Sequence, residues 1–208
     1  MNDDTAAIGI GSLIIFIAMI LVAGIAASVI IETMNSLEQQ TLKTGQETLK
    51  DISGGLHVSR ISGYNSASSI TQIAIFLETA AGSEDIDLSY SLIELSDSTK
   101  QVILNYTTSV FSSTVSNGLF NTLNSSNLSS TTYGLMVVRD IDSSCSSTNP
   151  SINDEDLVVL LINTTKVFSG ISTRTKVFGQ VMPEEGISGV ISFTTPSAYI
   201  DTIIELQP

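Results

Sequence analysis

From Ala6 to Ile31 the chain reads AAIGIGSLIIFIAMILVAGIAASVII, 26 residues without a charge or a proline. At about 1.5 Å per residue, a helix of this run reaches roughly 39 Å, enough to cross the hydrocarbon of a bilayer. Apolar residues occupy every face, so the helix must be surrounded by lipid or by other helices. Small residues interrupt it, among them Gly9, Gly11, Ser12, Ala18 and Ala26. Ala23/Ala27 and Gly24/Ser28 stand four apart, a spacing that lets another helix backbone come close. A plain single-span anchor and a helix packed among helices both fit this stretch. The continuation, ETMNSLEQQTLKTGQETLKDISGGLHV, places Met34, Leu37, Leu42, Leu49, Ile52 and Leu56 at helical spacing between polar faces. Gly54-Gly55 reads as the stop. An anchor has no need of such an amphipathic extension. A helix entering a bundle of its own copies does.

From about residue 57 the period shortens to two. Ile73, Ile75 and Leu77 share a face in SITQIAIFLE; Ile86, Leu88, Tyr90 and Leu92 alternate in IDLSYSLIEL, as do Val102, Leu104 and Tyr106 in KQVILNY. The runs YGLMVVRDI, DLVVLLINTT, TKVFGQVM, GVISFTT and YIDTIIELQ follow, parted by turn signals such as AAGSED, LSDSTK, NPSIND and PEEG. About eight short strands with polar turns predict an antiparallel β-sandwich or barrel. LVVLLI, apolar on both faces, reads as a central strand. Residues 121–132, NTLNSSNLSSTT, hold ten polar residues in twelve and read as a loop or weak edge outside the core. The expected fold class is α+β: a long N-terminal hydrophobic helix over 1–56 and a β-sandwich or barrel domain over 57–208.

Charge changes the picture next. The net charge is -13, with eight Lys plus Arg, so a nucleic-acid partner is not expected: phosphate binding needs a basic surface. Only acids, Asp3, Asp4, Glu32 and Glu38, precede Lys43. Neither a secretory n-region nor a positive-inside signal stands before the helix. The chain therefore reads as already processed, a basic leader having been removed ahead of Met1.

Catalytic constellations do not assemble. The lone His57 and lone Cys145 carry no orienting motif, and there is no P-loop, dinucleotide fingerprint, CxxC or GxSxG. A single cysteine excludes an internal disulfide, and its polar setting, DIDSSCSSTNPS, would leave pairing between chains open. Asp140 and Asp142, with Asn153, Asp154, Glu155 and Asp156, are oxygen ligands of the kind calcium takes. They lack a complete EF-hand spacing, and a solvated acidic loop is the preferred reading, so no cofactor is expected. Asn105, Asn124, Asn127 and Asn163 each open an N-glycosylation sequon, a surface mark of exported proteins. Asn124 and Asn127, in the most polar loop, are the best candidates.

GIGSLIIFIAMILVAGIAASVIIET resembles the mature N-terminal helix of archaellins, the archaeal flagellins, which share a type IV pilin-like plan. The resemblance continues in AGSEDIDLSYSLIELSDST, in GLMVVRDIDSS and in VFGQVMPEEGISGVISFTTPSAYIDTIIELQ, leaving out the stretch around 107–132. Bacterial type IV pilins usually carry Phe and Glu at the first and fifth mature positions. Met1 and Thr5 stand here, which favours the archaeal branch. The resemblance implies a structural subunit of the archaellum filament, extracellular and without catalysis. Its helix would be membrane-inserted before assembly and then part of a helical homopolymer. Gly9, Gly11, Ala23, Gly24, Ala27 and Ser28 would be packing positions in the filament core. Archaellum assembly and motor proteins at the base would be its further partners. An adhesive pilin of the same superfamily is the alternative; it would share the helix but need not share PEEGISGVISFTTPSAYID.

Overall fold

In a computed structural model, which describes residues 3–208, the first element is α1, a helix of 51 residues from Asp3 to Ser53. That is about 77 Å at 1.5 Å per residue. No proline interrupts it, and beyond Ile31 the helix-forming Glu, Gln, Lys and Leu keep it going. The Gly54 N–H still bonds to the Lys50 carbonyl at 3.0 Å, but Leu56 already belongs to a strand. The helix thus stops three residues short of the expected boundary, and Leu56 is a buried strand residue rather than the next turn after Leu42 and Leu49. Met1, ahead of which a leader is expected to have been removed, lies outside the described residues, and so does the side chain of Thr5. The chain divides into two compact units, Met1–Thr48 and Leu49–Pro208.

The second unit contains β1 (Leu56–Ser66), β2 (Ser69–Thr79), β3 (Ile86–Asp87), β4 (Leu92–Ser96), β5 (Gln101–Ser112) and β6 (Thr132–Arg139). After them come β7 (Ser151–Ile152), β8 (Leu157–Asn163), a short helix α2 (Thr164–Phe168), β9 (Lys176–Met182), β10 (Gly189–Thr194) and β11 (Ile203–Gln207). Nine strands form one sheet in the order β10-β9-β4-β5-β6-β8-β2-β1-β11, and β3 pairs with β7. The two outer strands meet through one side chain. The Ser192 N–H donates to Gln207 Oε1 at 2.9 Å, and Gln207 Nε2 donates to the Val190 carbonyl at 3.4 Å. The sheet is nearly closed, which shields edges that would otherwise be open to pairing. One pair departs from the antiparallel expectation: β5 and β6 run parallel, because the chain between them crosses back before β6 begins.

The two faces of the central strands explain their composition. Ile73, Ile75 and Leu77 of β2, Val158, Leu160 and Ile162 of β8, and Leu135 of β6 point into the main core. Ala74, Phe76, Val159, Leu161 and Met136 face the other way, into a second apolar cluster. Phe120, Leu123 and Leu128 cover that cluster. Residues 121–132 are therefore not outside the core, as their polarity predicts: Leu123 is 4 % exposed and Leu128 fully buried. Two isolated leucines in a polar loop carry no periodicity, yet they make the lid that lets LVVLLI be apolar on both sides.

Two further expectations change. The strand expected across 86–92 breaks into β3, a 3-10 turn at Leu88–Tyr90, and β4. Asp87 Oδ1 accepts from the Ser89 N–H at 2.8 Å, a local bond that competes with the extended ladder. That turn brings Leu88 and Ser91 to Tyr133, whose hydroxyl bonds to Ser91 Oγ at 2.7 Å and donates to the Leu88 carbonyl at 3.2 Å. β1 is a strand the alternation did not disclose. A register shift between Val58 and Arg60 moves the inward positions from Leu56 and Val58 to Ile61, breaking the period of two.

Candidate functional site

α1 carries an exposed apolar surface. Fifteen large side chains between Ile8 and Ile31 are each at least half exposed, from 50 % at Ile17 to 72 % at Ile8. Burying one such side chain is worth about 1.5–3 kcal/mol, so the set represents tens of kcal/mol. A folded domain has a net stability of only about 5–15 kcal/mol. Water cannot be the working environment of this helix. Its hydroxyls suit an apolar one, since Ser12 Oγ donates to the Gly9 carbonyl at 2.9 Å and Thr33 Oγ1 to the Ile30 carbonyl at 2.8 Å. Such back-bonds leave no donor in need of a partner in lipid or among helices.

The small residues leave room for neighbours. A Cβ built at Gly9, Gly11 or Gly24 would meet nothing within 4 Å. Ala23, Ala27 and Ser28 are exposed like the rest. Ala18, Ala23 and Ala26 floor a shallow groove whose walls are Ile15, Met19 and Val22. At about 100° per residue, Gly24 and Ser28 lie on the side away from that groove. The helix thus offers narrow waists on two opposing faces. Ala18 and Ala26 were not singled out by the i, i+4 pairs; the groove joins them across Val22, a span of eight.

Where α1 ends, Lys50 Nζ lies 2.7 Å from Glu185 and 3.4 Å from Glu84. The hydrogen bond and charge of Glu185, then those of Glu84, hold the ammonium above its ordinary pKa. Three acids flagged by sequence do converge: carboxylate oxygens of Asp140, Asp142 and Asp156 lie within 4.8 Å of one another. Each already accepts N–H groups. Asp140 takes them from Ser144 and Cys145, Asp142 from Ser144 and the Asn153 side chain, and Asp156 from Asn153 and Ile141. Burial pushes the Asp156 carboxyl up, with the charges of Asp140 and Asp142 adding to it, while the side-chain bond from Asn153 draws Asp142 down. These oxygens suit a hard cation such as calcium, and the turn is also satisfied by its own hydrogen bonds. Asp154 and Glu155 are exposed.

The remaining candidates separate. Cys145 is buried in the main core, where burial first and then Asp140 push its thiol up to about 12, so it is not presented for pairing between chains. His57 is exposed on β1. Asn105 is exposed on β5, and Asn124 and Asn127 are exposed in the loop that covers the second apolar cluster. Asn124 uses Oδ1 to accept the Ser126 N–H at 3.0 Å, which leaves its amide nitrogen pointing to no partner among the described residues. Asn163 is different. It is 8 % exposed, its Nδ2 donates to the Ser125 carbonyl at 2.9 Å, and its Oδ1 accepts the Lys166 N–H that starts α2. This amide braces the very loop that carries Asn124 and Asn127.

Residues 6–193 match the family described as archaeal-type flagellin. Flagellin B2 of Methanocaldococcus jannaschii is 42 % identical over the whole chain and 97 % of its own length. Flagellin B4 of Pyrococcus abyssi is 40 % identical over 97 % of this chain and 98 % of its own. Among solved structures, archaeal flagellin FlaB1 of M. jannaschii superposes with a TM-score of 0.67 at 34 % identity, covering 74 % of this chain and 97 % of that one. A subunit in the structure of the archaeal flagellum of Methanospirillum hungatei, 16 % identical, has the same fold over 96 % of this chain and 99 % of its own, with a TM-score of 0.67.

Proposed function

Because this chain belongs to the archaeal-type flagellin family and is a structural subunit of an extracellular archaellum filament, we propose that it polymerises through the apolar surface of α1 between Ile8 and Ile31. The observation that carries this reading is the exposure of fifteen large apolar side chains on a helix with narrow waists on opposing faces. Before assembly the helix lies in the membrane; afterwards neighbouring helices replace the lipid. Both settings bury the same surface, so the exchange need not lose hydrophobic stabilisation, and close packing at Gly9, Gly11, Ala23, Gly24, Ala27 and Ser28 favours the polymer. Assembly and motor proteins of the archaellum act on the filament at its base. The subunit does no chemistry and needs no cofactor for polymerisation; calcium at Asp140, Asp142 and Asp156 would brace one loop only. Membership of the flagellin family speaks against the adhesive pilin.

Gly24→Leu tests the packing. In lipid an added leucine is favourable, so membrane insertion should persist. Among close helices it should cost about 1–3 kcal/mol per subunit, and filament yield by electron microscopy should fall sharply. Normal filaments from this variant would refute tight packing at Gly24.

The exposed sequons define a second expectation. In filaments from the native cell, at least one of Asn124 and Asn127 should carry an N-glycan, and Asn163 should carry none. Mass spectrometry of the loop peptides decides it: unmodified Asn at both positions, or a sugar on Asn163, would count against this assignment.

A further inference from the structure

The basic residues of the second unit are segregated. After Gly55 the chain has six: Arg60, Lys100, Arg139, Lys166, Arg174 and Lys176. Four of these gather at the end of the sheet where β9 begins. Ser98 Oγ donates to the Lys176 carbonyl at 3.0 Å, which sets the turn carrying Lys100 beside Lys176. Lys100 Nζ donates to the Val167 carbonyl at 2.8 Å, which brings in α2 and Lys166. The Arg174 N–H bonds to the Pro196 carbonyl at 3.2 Å, at the same end. All four residues are exposed, and none has an acidic partner among the described residues. Two acids stand at this end: Asp201, exposed beside the last residues of β1, and Asp97, which is turned inward on itself. Burial acts upward on its carboxyl, but the Thr99 hydroxyl and the Lys100 and Thr99 N–H groups outweigh it and hold the pKa below the ordinary range.

The opposite end of the sheet, where β9 finishes and Ile187 meets Gly54-Gly55, is acidic. Glu84, Asp85, Glu184 and Glu185 stand exposed around Lys50, with Asp87 behind them. One ammonium faces five carboxylates, and Asp85 and Glu184 have no basic partner among the described residues. The domain is thus electrically polar along its strands, positive at one end and negative at the other, although the whole chain is strongly acidic.

We propose that the Arg174–Lys176 end of one β-domain docks against the Asp85–Glu184 end of a neighbouring copy in the filament. This rests on the polymer reading above and adds to it a second contact, made by the outer domains. A second copy is the occupant because the complement of the basic end is present on the same molecule, and an end-to-opposite-end contact is heterologous and does not close on itself. Complementary charge of this kind fixes register and suppresses wrong pairings more than it supplies affinity. Segregation also keeps like charges apart in a homopolymer whose every subunit carries -13.

The test is a charge swap in the full chain, read as filament mass per cell by electron microscopy, with subunit levels matched by blotting the membrane fraction. Arg174→Glu with Lys176→Glu removes one end; Asp85→Lys with Glu184→Lys removes the other. None of these four side chains has a hydrogen bond or ion pair among the described residues, so the fold should tolerate the changes. Each pair alone should lower filament mass at least tenfold, and all four together should restore it to within about threefold of the parent. Single-end variants with parental filaments, or losses that the combined swap does not repair, overturn the docking contact. Absence of filaments from the parent chain itself would instead overturn the polymer reading on which it stands.

Discussion

Cut to residues 54–208, the protein should fold as a soluble β-domain and form no filament. The second unit carries its own apolar core. The nearly closed sheet buries its own apolar faces, with Ile73, Leu160, Leu135 and their neighbours inside and Phe120, Leu123 and Leu128 over the outer cluster. The truncation removes none of these residues. It does remove Lys50 and its pairs with Glu84 and Glu185, but solvent-exposed pairs of this kind add little to stability. What it takes away entirely is the surface between Ile8 and Ile31. Circular dichroism with a cooperative urea transition should report the fold, and microscopy the missing polymer. Filaments from the truncated chain would end the case for helix-driven assembly; an unfolded product would end the case for a self-sufficient domain.

Gly55→Ala should severely destabilise that same domain. A Cβ at Gly55 would lie 2.5 Å from the Ile187 carbonyl oxygen and 2.6 Å from its nitrogen, both backbone atoms. Neither can yield cheaply. The Ile187 carbonyl accepts from Leu56 at 2.8 Å, the Ile187 N–H donates to Gly54 at 2.9 Å, and the Gly55 carbonyl accepts from Ala80 at 2.8 Å. Gly186, just before Ile187, has φ +92 and would itself meet the Gly54 oxygen at 2.7 Å if it gained a Cβ. Relieving the clash means giving up two or more of these bonds at about 1 kcal/mol each, besides separating the strands they join. A loss of about 3–5 kcal/mol is expected, in the range reserved for a few severe mechanisms. Gly118→Ala is the control: φ +81 but open space around it, so only the cost of a left-handed alanine, about 1 kcal/mol. Urea midpoints of the two variants should differ by about 1 M or more. Equal midpoints would refute the crowding at Gly55.

Some of this was legible in the residues one after another. The helix was, because an uninterrupted apolar run and the heptad-like leucines after it are local patterns, and Gly54-Gly55 ended it where expected to within three residues. So were the β2, β6 and β8 strands, whose alternating or doubly apolar runs survive in the sheet. β1 was not, because its bulge shifts the inward positions midway. Leu123 and Leu128 were not, because a residue's burial depends on what lies across from it, and their partners are Phe76, Met136 and Leu161, far away in sequence. The four sequons looked alike. Only the fold distinguishes Asn163, whose amide is spent on Ser125, from Asn124 and Asn127, whose side-chain nitrogens have no partner among the described residues.

The sequence by itself determined that residues 8–31 need a cover other than water and that most of the rest forms short strands. Those properties follow from composition and period, which covalent neighbours carry. Only the tertiary structure decided that β5 and β6 run parallel, that Asp140 and Asp156 stand together, that Gly55 faces Ile187, and that four of the six cations after Gly55 collect at one end of the sheet. Each of these pairs residues distant in the chain. Their meeting is set by strand order and register, which depend on the summed packing of the whole sheet rather than on any segment within it.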